Sequence, residues 1–487
     1  MELVMKNSAL IHLPSGSTLS SRVLDFLKLI PDLEGVYLMG NTDISGPWEI
    51  LPLPTSSLAL LETIQGLWQD KNHLVYFYGD CPFLREDLFK SMWETHIKYR
   101  AQYTFADGYP YGLSTEILEM GILPSLINLV KKYPEIPLSR GTFFDILSKD
   151  INAFDLETQI SPRDLRPLRL SFTLDTRRNR LLVDRYAKGS DMPLEEFLQY
   201  LEENQGPQRT LPAYFQIQTV TSNKNLGFYD PRAAFPKDFQ KTAPPMSRDI
   251  FKILMDKIER FASEGVINPS LWGDPVFHPD FPGLVEEVCG RPGWSMVVET
   301  PLVGWDPAVW AKAAAVAQGK LTWIVELDCW DGAAYEKIRG EGYSEAVGAV
   351  QNLAQVFPSQ VYVQTVRINE TEDQMEGFYK GWKSRGLPVI IQKYDSFAGV
   401  LPDRKVNDIS PLKRGVCWHL KRDMCIFIDG RVPLCKTDFR GDYPMGNALT
   451  QPLDEIWKKG EEAHNQHLKG EFSPFCRKCD EFYTYNF

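Results

Sequence analysis

The sequence lacks any uninterrupted apolar run of the roughly 18 residues that a membrane-spanning helix needs. Its start, MELVMKNSALIHLPSGS, also lacks a basic stretch followed by a long apolar one. Positive charge is not in excess: 53 Lys and Arg face 64 Asp and Glu, a net charge of -11, which argues against general nucleic-acid or membrane binding. We therefore expect a soluble, cytoplasmic protein with no membrane partner, and its 487 residues are enough for about three folded domains.

Cysteine is scarce over most of the chain and concentrated near its end. Cys81, Cys289 and Cys329 are isolated, whereas five cysteines crowd the C-terminal segment: Cys417, Cys425, Cys435, Cys476 and Cys479. Thiols stay reduced in the cytosol, so a group ending in Cys-x-x-Cys predicts metal ligation instead of disulfide bonding. The three isolated cysteines are expected to be buried apolar residues.

The pattern along the chain predicts an α/β protein with a linker between Glu202 and Pro212. Upstream of it, strands such as Gly35–Met39 and Leu74–Tyr78 alternate with helices such as Leu58–Gln69. Downstream, amphipathic helices separate six strand candidates: Ala213–Val220, Val266–Leu271, Trp294–Glu299, Leu321–Asp328, Gln360–Arg367 and Pro388–Lys393. Six βα units predict a parallel sheet curved into a partial (βα)6 barrel, which binds ligands at the carboxyl ends of its strands.

The N-terminal segment carries three polar landmarks: Gly16-Ser17-Thr18, Asp80 directly after a strand, and Asp175 in LSFTLD. Over about residues 8–185 it resembles the sugar-nucleotide cytidylyltransferases. The resemblance implies a nucleotide-diphospho-sugar-transferase-like fold, with Gly16, Ser17 and Thr18 at the nucleotide phosphates and Asp80 and Asp175 on Mg²⁺. Leu19 stands where that family has an arginine, so nucleotide binding without turnover is one alternative, and a purely structural, capping Asp80 is another.

The middle segment carries Trp272-Gly273-Asp274-Pro275 right after its second predicted strand. This resembles the Gly-Glu-Pro motif of radical S-adenosylmethionine enzymes, which implies a residual S-adenosylmethionine site at Gly273, Asp274 and Pro275. In that family a CxxxCxxC loop after the first strand holds a 4Fe-4S cluster. The matching positions here are Ser222, Leu226 and Tyr229, which do not replace thiolate ligands, and we expect that this cluster is lost.

The C-terminal segment, with Cys417, IDGRVPLC ending at Cys435, and Cys476-x-x-Cys479, resembles the SPASM domain. SPASM domains follow radical S-adenosylmethionine barrels and carry auxiliary iron–sulfur clusters. The order of the three segments resembles the spiro-SPASM family. We therefore expect a nucleotidyltransferase-like domain at residues 1–205, a radical S-adenosylmethionine-like partial barrel at 206–410 and a SPASM domain at 411–487.

Hairpin geometry reduces five C-terminal cysteines to four ligands. Asp429-Gly430 favours a two-residue turn, which would place Met424 opposite Cys435 and turn Cys425 to the other face, into the core. The remaining set is Cys417, Cys435, Cys476 and Cys479, suited to one 4Fe-4S cluster or to a zinc ion. Spacing does not separate the two metals, but the resemblance favours iron–sulfur. His419, His464 and His467 are alternative ligands, and the last two are expected to face solvent from a helix.

Three functions are consistent with these patterns. The first is an iron–sulfur protein of the radical S-adenosylmethionine/SPASM superfamily that binds a small-molecule or nucleotide-type substrate and works with a redox partner. The second is a Mg²⁺-dependent sugar-nucleotide or polyol-phosphate cytidylyltransferase, with Asp80 and Asp175 on the metal. The third is a binding protein whose C-terminal module is stabilised by zinc.

Overall fold

The computed structural model describes residues 6–40, 44–67, 71–234, 243–408, 410–412 and 414–483. The chain forms two compact units, Met1–Gln208 and Arg209–Phe487. The second unit contains both the barrel segment and the SPASM segment expected from the sequence. No helix within the described ranges is long and apolar enough to cross a membrane.

The first unit is a mixed seven-stranded sheet with helices on both faces. Its strands are β1 Asn7–His12, β2 Leu33–Met39, β3 Glu49–Leu51, β4 His73–Tyr78, β5 Tyr103–Asp107, β6 Glu116–Glu119 and β7 Leu156–Ile160. Its helices are α1 Val23–Leu27, α2 Ser57–Gly66, α3 Glu86–Tyr99, α4 Leu123–Lys132, α5 Thr142–Leu147, α6 Arg177–Arg185 and α7 Leu194–Glu203. The strand order is β3-β2-β1-β4-β6-β5-β7, with β6 antiparallel to both neighbours.

Alternation along β1 and β4 explains why this sheet is buried on both faces. Successive side chains of a strand point to opposite faces. Leu74 and Tyr76 join an apolar cluster with α2, α4 and α5, whereas Val75 and Phe77 join another with α1 and α3. The predicted helix 58–69 corresponds to α2, and residues 68 and 69 lie outside the described ranges.

The second unit is built on a parallel sheet. Its strands are β8 Tyr214–Ile217, β9 Gly265–Asn268, β10 Trp294–Thr300, β11 Leu321–Glu326, β12 Val361–Arg367, β13 Val389–Lys393, β14 Asp423–Ile426, β15 Arg431–Pro433 and β16 Pro444–Asn447. Its helices are α8 Pro231–Ala234, α9 Arg248–Ala262, α10 Phe281–Cys289, α11 Pro307–Ala317, α12 Gly332–Arg339, α13 Tyr343–Val356, α14 Met375–Ser384, α15 His419–Arg422, α16 Leu453–Leu468 and α17 Pro474–Lys478.

All six predicted barrel strands are present as β8 to β13, and the predicted α/β fold class is confirmed. The sheet has a seventh parallel strand that the sequence pattern did not indicate: β14, from the C-terminal segment, pairs with β8. The strand order is β13-β12-β11-β10-β9-β8-β14. Since β13 and β14 lie at opposite ends of this order, the barrel is partial and open. The strands β15 and β16 form a separate antiparallel pair.

Period-two alternation also separates the core of the second unit from its concave face. On β10, Trp294, Met296 and Val298 are buried in the apolar core that the helices share. The residues between them face the other way, and Val297 and Glu299 line a cavity. The same alternation directs Ile324 and Glu326 of β11 to that cavity. The strand sequences therefore specify both the core and the polar inner wall.

Candidate functional site

The four cysteines predicted as ligands lie in short segments of the second unit. Cys417 precedes α15, Cys435 follows β15, Cys476 lies within α17, and Cys479 follows α17. Ser473 caps α17, because its Oγ accepts a hydrogen bond from the Cys476 N–H at 3.1 Å. The Cys479 N–H donates to the Cys476 carbonyl at 3.1 Å. This tight turn fixes the spacing of the Cys-x-x-Cys pair.

The thiols of the four cysteines influence one another. Burial raises the pKa of Cys417 to about 12, and the thiols of Cys479 and Cys476 add to the rise. Burial likewise raises the pKa of Cys435, with contributions from Cys417 and Cys476. The pKa of Cys479 is raised by burial and by Cys435. Each of these thiols thus lies within electrostatic range of at least one other, and a metal that binds there must displace their protons.

The separation of the sulfurs bears on which metal they suit. Among the described residues, no three cysteine sulfurs lie within 4.8 Å of one another. Tetrahedral zinc with Zn–S bonds of about 2.3 Å holds its sulfurs about 3.8 Å apart. A 4Fe-4S cluster places irons and sulfides between the cysteines and needs a wider arrangement. A four-cysteine donor set is used by both kinds of site.

The predicted register of the hairpin near Asp429-Gly430 is wrong. The Phe427 N–H donates to the Arg431 carbonyl at 2.8 Å, so Phe427 and not Ile428 lies opposite Arg431. Gly430 has a φ of +83°, the left-handed conformation that closes a three-residue loop. The prediction failed because it assumed a loop one residue shorter.

Cys425 is nevertheless a core residue. It is 1% exposed and belongs to an apolar cluster with Trp272, Phe397 and Phe439. The reason is that its strand, β14, pairs with β8 in the barrel sheet. Burial raises the pKa of Cys425, and among the weaker causes is the neighbouring Cys435 thiol.

The prediction that His464 and His467 face solvent is also wrong. Both lie on the buried face of α16, and they are 0% and 5% exposed. Burial lowers the pKa of each to about 4. His467 Nδ1 accepts a hydrogen bond from the Cys417 N–H at 3.4 Å, which places this ring beside the first cysteine. The sequence prediction missed that α16 packs along this face, since it considered the spacing of the two histidines alone.

A cavity of about 630 Å³ lies at the carboxyl ends of the barrel strands, where the sequence predicts ligands to bind. Its wall carries apolar residues such as Val297, Ile324 and Ile390 together with polar residues from each of six strands: Tyr214, Gln216, Asn268, Glu299, Glu326, Gln364 and Gln392. Asn268 Nδ2 donates to Glu299 Oε1 at 2.9 Å. Burial raises the pKa of Glu299, and the nearby Glu326 adds to this rise. The amide and carboxyl groups on this wall can form hydrogen bonds with a ligand that has polar atoms.

The cysteine segments and the cavity are neighbours in the fold. His419, two residues after Cys417, lines the cavity, as do Lys436, directly after Cys435, and Glu481, two residues after Cys479. Adjacent Cα atoms are about 3.8 Å apart. Residues one or two positions after Cys417, Cys435 and Cys479 therefore line the cavity.

Charged side chains beside the cysteines neutralise one another. Ligand oxygens of Asp395, Asp480 and Glu481 lie within 4.8 Å of one another. Lys405 Nζ is 3.2 Å from Asp480 Oδ2, and Lys436 Nζ is 3.9 Å from Asp395 Oδ2 and 3.7 Å from Glu481 Oε2. Burial raises the pKa of Asp395 to about 8. With lysines among the carboxylates, this group is an ion-pair network and not a cation site.

The segment Gly273-Asp274-Pro275 lies at the cavity, and Asp274 lines it. A Cβ on Gly273 would lie 2.0 Å from the Val220 carbonyl oxygen, so the close approach of two loops requires glycine there. The Asp274 carboxylate accepts hydrogen bonds from the Val276 N–H at 3.1 Å and from Thr300 Oγ1 at 3.1 Å. Burial raises the pKa of Asp274 to about 7. Pro275 begins the short 3₁₀ turn that Asp274 caps.

The loop after β8 is held by a buried network at the positions where CxxxCxxC would stand. The Tyr229 hydroxyl donates to Asp328 Oδ2 at 2.6 Å. Arg339 donates to the same oxygen at 2.5 Å and to the Asn225 carbonyl at 3.0 Å. Tyr229 therefore links the loop to the barrel in place of a cysteine, and the sequence predicted neither this bond nor the role of Arg339.

In the first unit, Asp80 and Asp175 lie close together, but an arginine stands between them. Arg140 Nη1 donates to Asp80 Oδ1 at 3.0 Å, and Nη2 donates to Asp80 Oδ2 at 2.6 Å and to Asp175 Oδ2 at 3.0 Å. Burial works against the charge of Arg140, but Asp80 raises its pKa above the usual value. The predicted Mg²⁺ does not fit this arrangement, because the guanidinium takes the position between the carboxylates.

The predicted phosphate loop lies beside this triad. Ser17 Oγ donates to Asp80 Oδ2 at 3.3 Å. The Gly16 carbonyl accepts from Arg180 Nη2 at 3.3 Å, and Gly16 has a φ of +77°. Thr18 is exposed. Of the three predicted residues, Ser17 contacts the acidic site directly.

Comparisons with known proteins agree on the C-terminal segment. Residues 417–480 match the SPASM family, described as an iron-sulfur cluster-binding domain. A Treponema pallidum (strain Nichols) protein described as "Uncharacterized protein" is 38% identical over 357 residues, which span 71% of this chain and 98% of that protein.

Solved structures with similar folds have low identity. BtrN in complex with AdoMet and 2-DOIA has a TM-score of 0.40 at 15% identity, covering 56% of this chain and 94% of BtrN. Streptococcus suis SuiB bound to the precursor peptide SuiA has a TM-score of 0.44 at 12% identity, covering 75% and 84%. A cytidylyltransferase from Leptospira borgpetersenii has a TM-score of 0.33 at 14% identity, covering 42% and 96%.

The family assignment rests on the SPASM match and on the extent of the match to the Treponema protein. The chain belongs to the same family as that Treponema pallidum protein, and its residues 417–480 match the SPASM iron-sulfur cluster-binding domain.

Proposed function

We propose that this protein holds one auxiliary 4Fe-4S cluster on Cys417, Cys435, Cys476 and Cys479, beside a barrel cavity that binds a small polar molecule. A 4Fe-4S cluster supplies one-electron transfer when it is bound. Four cysteine ligands leave no iron free for a substrate, so the cluster would serve structure or electron transfer and not Lewis-acid catalysis.

The observation that carries this proposal is the position of the residues that follow the cysteines. His419, Lys436 and Glu481 each lie one or two residues after a cysteine and line the cavity of about 630 Å³. The chain therefore couples the cysteine segments to the ligand space through three short stretches of backbone. Such a site would exchange electrons with a redox partner and bind a ligand in the cavity.

In this proposal the chain does not bind the 4Fe-4S cluster that is typical of radical S-adenosylmethionine enzymes, because it lacks the cysteine ligands. Ser222, Leu226 and Tyr229 hold the matching positions, and the Tyr229 hydroxyl is bonded to Asp328. Radical cleavage of S-adenosylmethionine is then absent, and the barrel acts as a binding domain.

The cavity wall carries both signs of charge, which favours a zwitterionic or mixed-charge ligand. Arg232, Lys393 and Lys436 line it together with Asp230 and Glu481. S-Adenosylmethionine, with its cationic sulfonium and amino-acid group, is the first ligand to test, with Gly273, Asp274 and Pro275 at its proposed site. Nucleotides and sugar nucleotides are the next class.

The decisive experiment is anaerobic purification followed by iron, sulfide and zinc analysis with a visible spectrum. About four irons and four sulfides per chain, and a broad absorption that bleaches with dithionite, are expected. Cys417→Ser and Cys479→Ser should lose the cluster. Cys425→Ser is the matched control and should keep it, because Cys425 belongs to the apolar core. One zinc and no sulfide would refute the proposal, and equal loss in Cys425→Ser would refute the ligand assignment.

A further inference from the structure

The acidic pair of the first unit has the geometry of a metal site, but with an organic cation at its centre. A single guanidinium nitrogen, Arg140 Nη2, bonds to Asp80 Oδ2 at 2.6 Å and to Asp175 Oδ2 at 3.0 Å. The Asp80 side chain is fully buried, whereas the Arg140 and Asp175 side chains are 20% and 27% exposed. One edge of the triad is therefore open to solvent.

Both carboxylates accept hydrogen bonds from groups other than Arg140, and for Asp80 the donor is Ser17 Oγ, at 3.3 Å from Oδ2. Thr173 Oγ1 and Asn179 Nδ2 donate to Asp175 Oδ1 at 2.7 and 2.9 Å, which leaves Oδ2 for the cation. The Leu174 N–H donates to the Asp80 carbonyl at 2.9 Å and ties the two segments together. In the absence of Arg140, Asp80 Oδ2 and Asp175 Oδ2 would therefore still face the position that Arg140 Nη2 occupies.

Arg140 is itself positioned by its surroundings. Its guanidinium lies over the Tyr78 ring at 4.3 Å and forms two parallel bonds with Asp80, the strong planar pairing that arginine makes with carboxylates. The same oxygens would lie about 2.1 Å from Mg²⁺ or about 2.3–2.6 Å from Ca²⁺. A movement of less than one ångström at each oxygen would bring both carboxylates to metal-binding distance, with water completing the coordination.

We propose that Arg140 is a built-in cation that takes the place of a divalent metal between Asp80 and Asp175, and that its removal creates a divalent cation site. The first unit therefore works without a divalent metal at this place. Metal-dependent displacement of pyrophosphate has no metal to stabilise its leaving group here.

The test is a titration of the full-length chain with Mn²⁺, followed by electron paramagnetic resonance of free Mn²⁺. The parent should bind no Mn²⁺ at the triad, and Arg140→Gln should bind about one Mn²⁺ more per chain than the parent. Arg140→Lys is the matched control, because it keeps the positive charge and should bind no additional Mn²⁺. The double variant Arg140→Gln/Asp80→Asn should lose the additional ion, which locates it.

Thermal unfolding gives a second readout. Mn²⁺ should raise the Tm of Arg140→Gln and leave those of the parent and of Arg140→Lys unchanged. If Arg140→Gln does not fold alone, millimolar Mn²⁺ during refolding should recover it. Mn²⁺ binding by the parent that Asp80→Asn abolishes would overturn the proposal, as would an Arg140→Gln variant that neither binds Mn²⁺ nor is recovered by it.

Discussion

Arg339→Met should destabilise the second unit strongly. The Arg339 side chain is 3% exposed and its partner Asp328 is 1% exposed. Arg339 also bonds to Glu326 at 3.2 Å and to the Tyr229 hydroxyl at 3.1 Å. Methionine has a similar length but no charge, so the substitution leaves the Asp328 carboxylate buried with its main counter-ion removed.

The expected loss is about 3–5 kcal/mol, the usual cost of removing one partner of a buried ion pair. Arg248→Met is the matched control, since Arg248 bonds to Glu286 at 2.7 Å and to Glu287 at 3.0 Å but is 39% exposed. Exposed pairs contribute about 0–1 kcal/mol. The two arginines thus differ chiefly in burial.

Urea unfolding followed by tryptophan fluorescence suits this test, because only three of the 12 tryptophans precede residue 209. The signal therefore reports mainly on the second unit, which matters in a chain whose two units need not unfold together. A loss below about 1 kcal/mol for Arg339→Met, or an equal loss for Arg248→Met, would refute the assignment of a buried charge network. The double variant Arg339→Met/Asp328→Asn should lose less free energy of unfolding than the sum of the losses in the two single variants.

Two further predictions concern the loop at the cavity. Burial raises the pKa of Asp274 from 3.8 to about 7, so its protonation favours the folded state and the stability it contributes is lost as pH rises from about 4 to 7. Relative to Asp274→Asn, the parent should lose up to about 4 kcal/mol over that range in urea unfolding, and a constant difference would contradict this. Gly273→Ala should cost about 1–3 kcal/mol from overpacking, because its Cβ would lie 2.0 Å from the Val220 carbonyl oxygen. Gly348→Ala, on α13 with open space around its Cβ, is the control and should stabilise slightly, and equal effects of the two substitutions would refute the steric argument.

Elements that depend on local pattern were predictable from the sequence. The regular succession of strand candidates and amphipathic helices identified the barrel strands β8 to β13. The segment of β14, Asp423–Ile426, was predicted as one arm of a hairpin, and its place in the barrel sheet was missed. Its partner β8 lies about two hundred residues earlier, and nothing in either sequence encodes that pairing.

The candidate sites were likewise predictable only where a local sequence pattern indicates them. The cysteine spacing predicted a set of four metal ligands, and the adjacency of Lys436 to Cys435 could have indicated a cavity residue. Arg140 could not be found in this way, because its carboxylate partners lie 60 and 35 residues away and its segment has no motif. The hairpin register failed at a single residue, since a two-residue and a three-residue loop share the Asp429-Gly430 signal.

The pairing of β14 with β8 also has a consequence for synthesis. β8 is made early in the second unit, but the strand on its outer side is completed only at Ile426. While the ribosome translates the residues between them, the nascent chain carries a barrel edge with unsatisfied N–H and C=O groups, a template for association with other chains. Long-range pairing of this kind is slow to form. A chain that stops before Asp423 thus lacks Cys435, Cys476 and Cys479 and also leaves the edge of β8 unpaired, so premature termination should give aggregates.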